Sequence, residues 1–180
     1  IGGKGNKSVT VAVIDTGIQS SHESLKANVL STGYDFAGND VSPEDETSAQ
    51  NPGHGTHCAG IIGATGTVEQ GTIGVAPNIS IMAIRFLDKN GSGDLFNGAK
   101  AIDFAIQKNV DVISASWGMT VPPGQESQIQ PVIDAIGRAE AAGIPFVVAA
   151  ANDGKNNDTV NVQPANAPFT NVISVAASDV

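Results

Sequence analysis

The nine residues Val9-Thr10-Val11-Ala12-Val13-Ile14-Asp15-Thr16-Gly17 join an apolar, β-branched run to a carboxylate and then a glycine. A continuous apolar run of this length predicts a strand that is buried on both faces of a parallel sheet. Ligands of such sheets bind outside the carboxyl ends of the strands, which is where Asp15 stands. The stretch therefore predicts both the class of fold and the place of its functional site.

Apolar segments and helical patterns alternate along the rest of the chain, which predicts an α/β fold with a mostly parallel sheet flanked by helices on both faces. Four more segments are predicted as strands: Ile79–Phe86, Val110–Ser114, Phe146–Ala149 and Val172–Val175. Apolar residues at helical spacing predict one helix over Leu95–Lys108 and a second from Ile129 to Ala139. Pro131 fits the first turn of the second helix, and Gly143 fits its C-terminus. Four stretches are predicted as loops: Gly33–Pro52, Asp88–Asp94, Thr120–Ser127 and Asn152–Pro168.

The composition is that of a soluble globular chain, because 41% of its 180 residues are hydrophobic, enough for one domain with its own core. A formal net charge of −9 disfavours nucleic acid and anionic membranes as partners. No apolar run approaches the roughly 20 residues that a membrane-spanning helix needs. Cys58 is the only cysteine, so no disulfide can form within the chain. The start at Ile1, without an initiator methionine, leads us to expect a processed or trimmed N-terminus.

A histidine among small residues stands in Gly53-His54-Gly55-Thr56-His57-Cys58-Ala59-Gly60, where a helix is predicted to begin. Together with Asp15 it suggests an Asp–His pair that orients and charges a base for nucleophilic attack. Taken singly, each residue is also typical of an ordinary strand end or helix start. His57 is expected to make a structural hydrogen bond, and Cys58 to be a small buried apolar side chain.

The same residues match two other kinds of site. His54, His57 and Cys58 could ligate zinc, but the spacing offers no fourth ligand. Asp15-Thr16-Gly17 matches the tripeptide of the aspartic proteases, whose site needs two such carboxylates, and no second Asp-Thr-Gly occurs here. Neither alternative accounts for the surrounding sequence.

Six motifs follow one another along the chain. They are Val13-Ile14-Asp15-Thr16-Gly17, His54-Gly55-Thr56-His57-Cys58-Ala59-Gly60, Gly74-Val75-Ala76-Pro77, Asn90-Gly91-Ser92-Gly93, Ser114-Ala115-Ser116-Trp117-Gly118 and Val147-Val148-Ala149-Ala150-Ala151-Asn152. In this order and at these spacings they resemble the motifs of the subtilisin-like serine proteases, especially the thermitase and proteinase K branch. The resemblance runs from about Val9 to the end of the chain. It implies a subtilisin-like fold and a serine endopeptidase activity.

The resemblance implies three catalytic residues. Asp15 would hold the imidazole of His54, which would accept the proton of the serine hydroxyl and later give it to the leaving amine. The side-chain amide of Asn152 would stabilise the oxyanion, although an asparagine in Asn152-Asp153-Gly154 is also typical of a turn. Ala151 stands where most relatives have glycine, which is expected to narrow the neighbouring substrate pocket or shift the loop.

Two segments are expected to pair with an extended substrate. One edge would be Ser114-Ala115-Ser116-Trp117-Gly118 and the other Gly91-Ser92-Gly93, with Ala149 and Ala151 beside them. Small residues at both edges allow two backbones to approach closely. Without a substrate role, the same segments would be a buried strand followed by a turn, and a loop before a helix. Trp117 replaces the leucine of many relatives.

Calcium is implied by the loop Gly33–Glu44, which resembles the calcium-binding loop of the thermitase branch. Asp35, Asp40 and Glu44 would donate side-chain oxygens, and Ser42 would donate its backbone carbonyl. The alternative is a solvated acidic loop. The calcium would be structural, and no cofactor is expected for catalysis.

The nucleophilic serine of this family lies in a Gly-Thr-Ser-Met-Ala segment, and no Gly-Thr-Ser occurs among these 180 residues. Residues 1–180 are therefore expected to be the N-terminal portion of a single protease domain, incomplete and inactive alone. The remaining C-terminal part, as a separate chain, would complete the sheet and carry the serine; peptides or proteins would be the substrates. The alternative is a non-catalytic fragment that binds a peptide or a partner chain. A secreted, extracellular location is implied by the resemblance alone.

Overall fold

The computed structural model describes residues 3–66 and 71–178, and its centre is a six-stranded parallel sheet. In chain order the strands are β1 (Thr10–Asp15), β2 (Tyr34–Asp35), β3 (Ser80–Arg85), β4 (Val112–Ala115), β5 (Met119–Thr120), β6 (Phe146–Ala149), β7 (Val162–Gln163) and β8 (Val172–Val175). The sheet has the order β2-β3-β1-β4-β6-β8, while β5 and β7 form a separate antiparallel ribbon. The helices are α1 (His54–Gly63), α2 (Leu95–Gln107) and α3 (Gln130–Ala141), with a 3-10 turn at Glu126–Gln128.

Helices cover both faces of the sheet because successive residues of β1 point to opposite sides. Ala12 and Ile14 belong to the larger apolar cluster, which includes residues of α2 and α3. Val13 belongs to a smaller cluster that includes Ala59 of α1. All four side chains are at most 1% exposed. The predicted α/β fold with helices on both faces is confirmed.

The strands predicted from the apolar runs are present, and β6 and β8 have the predicted bounds. β4 begins two residues later than predicted, because the amide of Val110 donates to the carbonyl of Ala105 and closes the end of α2. β2 and β7 lie inside stretches that were predicted as loops. Two-residue strands are too short to show an alternating pattern, so sequence periodicity cannot reveal them.

Both predicted helices are present, and their ends lie within two residues of the predicted positions. The Asp94 side chain accepts the amide of Asn97 at 3.1 Å and caps the start of α2. Pro131 lies in the first turn of α3, and Gly143 follows its end with a φ of +72°. This left-handed conformation is the usual helix C-terminal stop. Among residues 3–66 and 71–178, no helix is long and apolar enough to cross a membrane.

The edge strand β8 leaves apolar side chains uncovered. Ile173 and Val175 are 51% and 52% exposed, and among residues 3–66 and 71–178 β8 pairs on one side only, with β6. Natural proteins rarely leave an apolar strand edge bare. The strand β8 itself lies beside β6, the strand that leads to Asn152.

Candidate active site

Two chain junctions bring a carboxylate and an imidazole together. Asp15 is the last residue of β1, and His54 is the first residue of α1. The start of the helix lies so close to the end of β1 that a Cβ atom on Gly55 would lie 2.2 Å from the carbonyl oxygen of Gly17. Only glycine permits this approach, so the residue after His54 is part of how the pair is built.

The carboxylate and the imidazole are hydrogen-bonded. His54 Nδ1 lies 2.7 Å from Asp15 Oδ1, which also accepts the amide of Thr16 at 2.7 Å. Asp15 is 1% exposed, and its Oδ2 has no hydrogen-bond partner among the described residues. The His54 side chain is 47% exposed. With Nδ1 donating to the carboxylate, Nε2 is left as an acceptor, which is the arrangement that a general base requires.

The surroundings of His54 favour its protonated form. The hydrogen bond with Asp15, together with the negative charges of Asp15 and Asp45, raises the pKa of His54 above its ordinary value of 6.5. Partial burial of the imidazole acts in the opposite direction. The positive charge that the imidazole acquires on accepting a proton is therefore stabilised.

His54 opens onto a cleft of about 700 Å³. Seven of the residues predicted to be functional line it as well: Gly91, Ser116, Trp117, Gly118, Ala149, Ala151 and Asn152. Ser92 and Gly93 line a smaller adjoining pocket, which shares Trp117 with the cleft. Ser114 and Ala115 lie within β4, so the predicted edge reaches the cleft through the three residues after the strand.

Trp117 connects the wall of the cleft to β1. Its indole Nε1 donates to the carbonyl oxygen of Ile14 at 2.9 Å, one residue before Asp15. Its ring packs edge-on against Phe86, with ring centroids 4.8 Å apart. β1 and β4 stop pairing at Val13, so the indole supplies the donor where the ladder ends.

Asn152 lies on the side of the cleft that β6 provides. It follows Ala151, whose φ is +78°. A left-handed conformation is unfavourable for a residue with a Cβ and natural for glycine. The departure from glycine noted in the sequence thus falls where the backbone favours glycine. Both residues are exposed.

Cys58 lies one helical turn after His54. One ligand atom from each of Asp15, His54 and Cys58 lies within 4.8 Å of the others. Burial, the largest influence, raises the pKa of the Cys58 thiol, while a hydrogen bond with Ser116 lowers it. Cys58 is half-buried and packs beside the smaller apolar cluster. The protonated thiol is a poor nucleophile and a poor metal ligand.

His57 is exposed and lines the cleft. Within the described part of the chain its imidazole makes no hydrogen bond, so the structural bond expected for it is not found there. Nor does it join the group of possible ligand atoms formed by Asp15, His54 and Cys58. A zinc site formed by His54, His57 and Cys58 would need His57, which lies outside this group.

Three residues of this site were not predicted: Thr16, Asp45 and Asn51. Each side chain accepts an amide of the first turn of α1. Asn51-Pro52 is a recognisable turn signal, and it predicts a side chain that accepts nearby amides. The contact between Thr16 and Asp45 spans 29 residues of chain, and no local pattern predicts it.

The predicted calcium donors share one surface depression, which is lined by Asp35, Asp40, Ser42 and Glu44 together with Arg85. Most of their side-chain oxygens are already paired within the protein. The buried Arg85 contacts Asp35 Oδ2 at 2.9 Å, and two loop amides donate to Oδ1. Glu44 accepts both the amide and the hydroxyl of Ser20. A calcium ion would therefore compete with Arg85 for Asp35 and with Ser20 for Glu44.

Comparison with known proteins gives one consistent family. The sequence model of the subtilase family matches residues 6–180. The chain is 38% identical to the thermophilic serine proteinase of Bacillus sp. (strain AK1), over 98% of this chain and 40% of that protein. It is 38% identical to thermitase of Thermoactinomyces vulgaris, over 94% of this chain and 54% of thermitase.

The fold matches as well. The chain is similar to the solved structure of sphericase, with a TM-score of 0.76 and 33% identity, over 96% of this chain and 54% of that one. It thus spans about half, or less, of the length of these relatives. Other matching relatives include proteases named as extracellular and proteases named as intracellular.

Proposed function

Because this chain belongs to the subtilase family, we propose that it supplies the Asp–His pair and the oxyanion donor of a serine endopeptidase. The nucleophilic serine would come from a segment outside residues 1–180. The observation that carries the proposal is the 2.7 Å contact between Asp15 Oδ1 and His54 Nδ1 at the edge of an open cleft.

The pair is arranged for two proton transfers. His54 Nε2 would take the proton of the serine hydroxyl as its oxygen attacks the peptide carbonyl. The same proton would then pass from Nε2 to the leaving amine as the carbon–nitrogen bond breaks. Asp15 would keep the hydrogen on Nδ1 and stabilise the imidazolium in between. Its burial favours this role, because a carboxylate away from water interacts more strongly with a neighbouring charge.

Asn152 would stabilise the oxyanion that forms on the attacked carbonyl. It lies in the same cleft as His54, and its side-chain amide can donate two hydrogen bonds. Such a donor is typically worth about 2.7–4 kcal/mol of transition-state stabilisation, a magnitude measured in subtilisin rather than here.

An extended peptide would lie between two backbone edges. Gly91 lines one side of the cleft, and the segment Ser116–Gly118 lines the other. Backbone hydrogen bonds at such edges give affinity, while side-chain pockets give preference. Trp117 borders both the cleft and the adjoining pocket, so it would limit the size of the substrate side chain held there.

The serine-bearing segment would pair with the free edge of β8. Ile173 and Val175 are half exposed on this strand, and the relatives are about twice as long as the match. Pairing there would cover apolar surface and extend the sheet beyond β8, the strand that pairs with β6. The partner is therefore the remaining part of the protease domain.

A fluorophosphonate probe, which labels activated serines, tests this function in the full-length protein. We expect labelling of one serine outside residues 1–180, and its loss in His54→Ala. His22→Ala removes the same side chain outside the cleft and should keep the labelling. A folded wild-type protein that is never labelled would contradict the proposed serine endopeptidase activity. It would favour the alternative of a non-catalytic fragment that binds a peptide or a partner chain.

We also propose that the loop Gly33–Glu44 binds calcium, because the four predicted donors line the same surface depression. Because Arg85 and Ser20 occupy part of that set, the affinity should be low. A tenfold excess over Kd would raise the free energy of unfolding by about 1.4 kcal/mol. Thermal unfolding with calcium and with a chelator measures this. Asp40→Asn should remove the difference, whereas Asp158→Asn should keep it; equal melting temperatures in the wild type would contradict calcium binding.

Secretion is likewise a proposal, since the matching relatives include both extracellular and intracellular proteases by name. Fractionation of the producing cells, followed by detection of the protein in the medium, tests it. Recovery from the cell interior alone would contradict it.

A further inference from the structure

The first turn of α1 is capped in an unusual way. The first amides of a helix have no partner within the helix, and a side chain at the preceding residue normally accepts one of them. Here that residue is Gly53, which has no side chain to offer and has a φ of +104°. The amides of His54, Gly55 and Thr56 are instead satisfied by three side chains from elsewhere in the chain.

Each of these amides has its own acceptor. His54 N donates to Asn51 Oδ1 at 2.8 Å. Gly55 N donates to the hydroxyl of Thr16, the residue after Asp15, at 2.9 Å. Thr56 N donates to Asp45 Oδ2 at 3.0 Å. The helix that begins with His54 is thus held at its first turn by Thr16, the residue after Asp15, and by two residues of the loop that precedes the helix.

The carboxylate of Asp45 joins the three contacts into one network. Its Oδ1 accepts the hydroxyl of Thr16 and the side-chain amide of Asn51, both at 2.9 Å. Its Oδ2 accepts the hydroxyl of Thr56 at 2.7 Å in addition to the amide. Four donors converge on one ionised group, and such charge-assisted bonds are stronger than neutral ones.

We propose that Asp45 is a positioning residue that fixes His54 against Asp15, because its carboxylate ties the first turn of α1 to the end of β1. The proposal rests on the proposed function only for its effect on catalysis. Losing the carboxylate would leave four donors competing for one oxygen, and the helix start could shift relative to β1. A misplacement of about 1 Å is enough to lower a rate about 100-fold.

The charge of Asp45 also acts on His54, because it raises the pKa of the imidazole. The titratable groups around the imidazole are Asp15 from β1, Asp45 from the loop before α1, and His57 and Cys58 from α1 itself, with Asp153 lining the far side of the cleft. Of these, Asp15 and Asp45 raise the pKa of His54. Removing the Asp45 charge should therefore lower that pKa.

The test compares Asp45→Asn with Asp158→Asn, which removes the same charge from an exposed site outside the cleft. For the full-length protein we expect Asp45→Asn to lower kcat about 10- to 100-fold with KM changed less than about threefold. The acid limb of kcat/KM should move to lower pH. Asp158→Asn should change none of these quantities. Equal kinetics for the two variants would overturn the proposal.

A second measurement separates this proposal from the proposed function. Nuclear magnetic resonance titration of the His54 imidazole needs no peptidase activity. A lower imidazole pKa and a weakened Nδ1 hydrogen bond in Asp45→Asn support the positioning role even if the protein cleaves nothing. An unchanged titration overturns it even if the protein is an active protease. If Asp45→Asn does not fold, Thr16→Val, which removes the hydroxyl between Asp45 and Gly55, should show the same changes to a smaller extent.

Discussion

The two sides of the cleft differ in how firmly burial and hydrogen bonds hold their residues. On one side, Asp15 is almost fully buried, and a chain of hydrogen bonds fixes the start of α1 beside it. On the other side, Ala151 and Asn152 are exposed. Ala151 has a backbone conformation that suits glycine, and β8, which borders β6, has no second strand partner in the part of the chain that the structure describes.

This difference separates the two parts of the proposed chemistry. The proton-transfer pair depends only on residues that are packed together here, so it is already formed. Asn152, the proposed oxyanion donor, lies three residues after the end of β6, and within the described residues its side chain makes no hydrogen bond. Its final position would depend on the segment proposed to pair with β8. The following predictions test the contrast between a fixed side and an adjustable one.

The largest effect is expected on the fixed side. Asp15→Asn should lower kcat by about 10⁴-fold, because an amide at this position favours the wrong imidazole tautomer while the fold stays intact. Steady-state kinetics of the full-length protein, with circular dichroism as the check of folding, measure it. Asp158→Asn provides the matched control on an exposed site. A loss of less than tenfold in Asp15→Asn would mean that the pair does not carry the chemistry.

A smaller loss is expected on the adjustable side. Asn152→Ala should lower kcat about 10²- to 10³-fold with little change in KM, because the donor acts mainly on the charge that develops in the transition state. A rise in KM of similar size, with kcat unchanged, would instead assign Asn152 to substrate binding. Asn156→Ala, in the same loop but outside the cleft, serves as the comparison.

The contrast also explains what sequence alone could predict. Asp15 and His54 each end or begin a regular element within an apolar or small-residue pattern, so both the elements and the residues were predictable. Asp45 lies in a loop without regular structure, and its contacts to Thr16 depend on how the loop folds back. The two-residue strand β2 was missed for the same reason.

The sequence of the adjustable side was informative in a different way. Ala151 could be recognised as a departure from glycine, but the alternatives of a narrowed pocket and a shifted loop stayed open. The φ of +78° at this residue is a physical reason to expect glycine there. The placement of Asn152 would also depend on the segment proposed to pair with β8, which no pattern within residues 1–180 encodes.

The pH dependence should reflect the fixed side. Because Asp15 and Asp45 raise the pKa of His54 above 6.5, the imidazole loses its basic form at a higher pH than a free histidine. The acid limb of kcat/KM should therefore have a midpoint above pH 6.5. For stability the sign is the reverse: the bound proton stabilises the fold fully below pH 6.5, and this contribution disappears as the pH rises through the raised pKa.

The pH profile of kcat/KM measures the acid limb, and titration of the imidazole measures the pKa of His54. At about 1 M salt the midpoint should move back toward 6.5, since screening weakens the contribution of the partly exposed Asp45. A midpoint below 6.5 at low salt would show that burial of the imidazole outweighs the two carboxylates, and the fixed side would then lack its electrostatic character.

The smallest effect concerns the adjustable side, in the variant Ala151→Gly. Glycine should relieve about 1–2 kcal/mol of left-handed strain. It should also lose about 0.5–1 kcal/mol through the larger freedom of the unfolded chain. The net expectation is a free energy of unfolding higher by about 0.5–1 kcal/mol, measured by denaturant titration.

Asn109→Gly gives the matched control, because Asn109 also has a positive φ, +52°, and asparagine tolerates it. Its gain should be smaller than that of Ala151→Gly. A destabilised Ala151→Gly would mean that the methyl group makes contacts that outweigh the strain. The backbone before Asn152 would then be held by the side chain of this alanine, and the two sides of the cleft would be less different than they look.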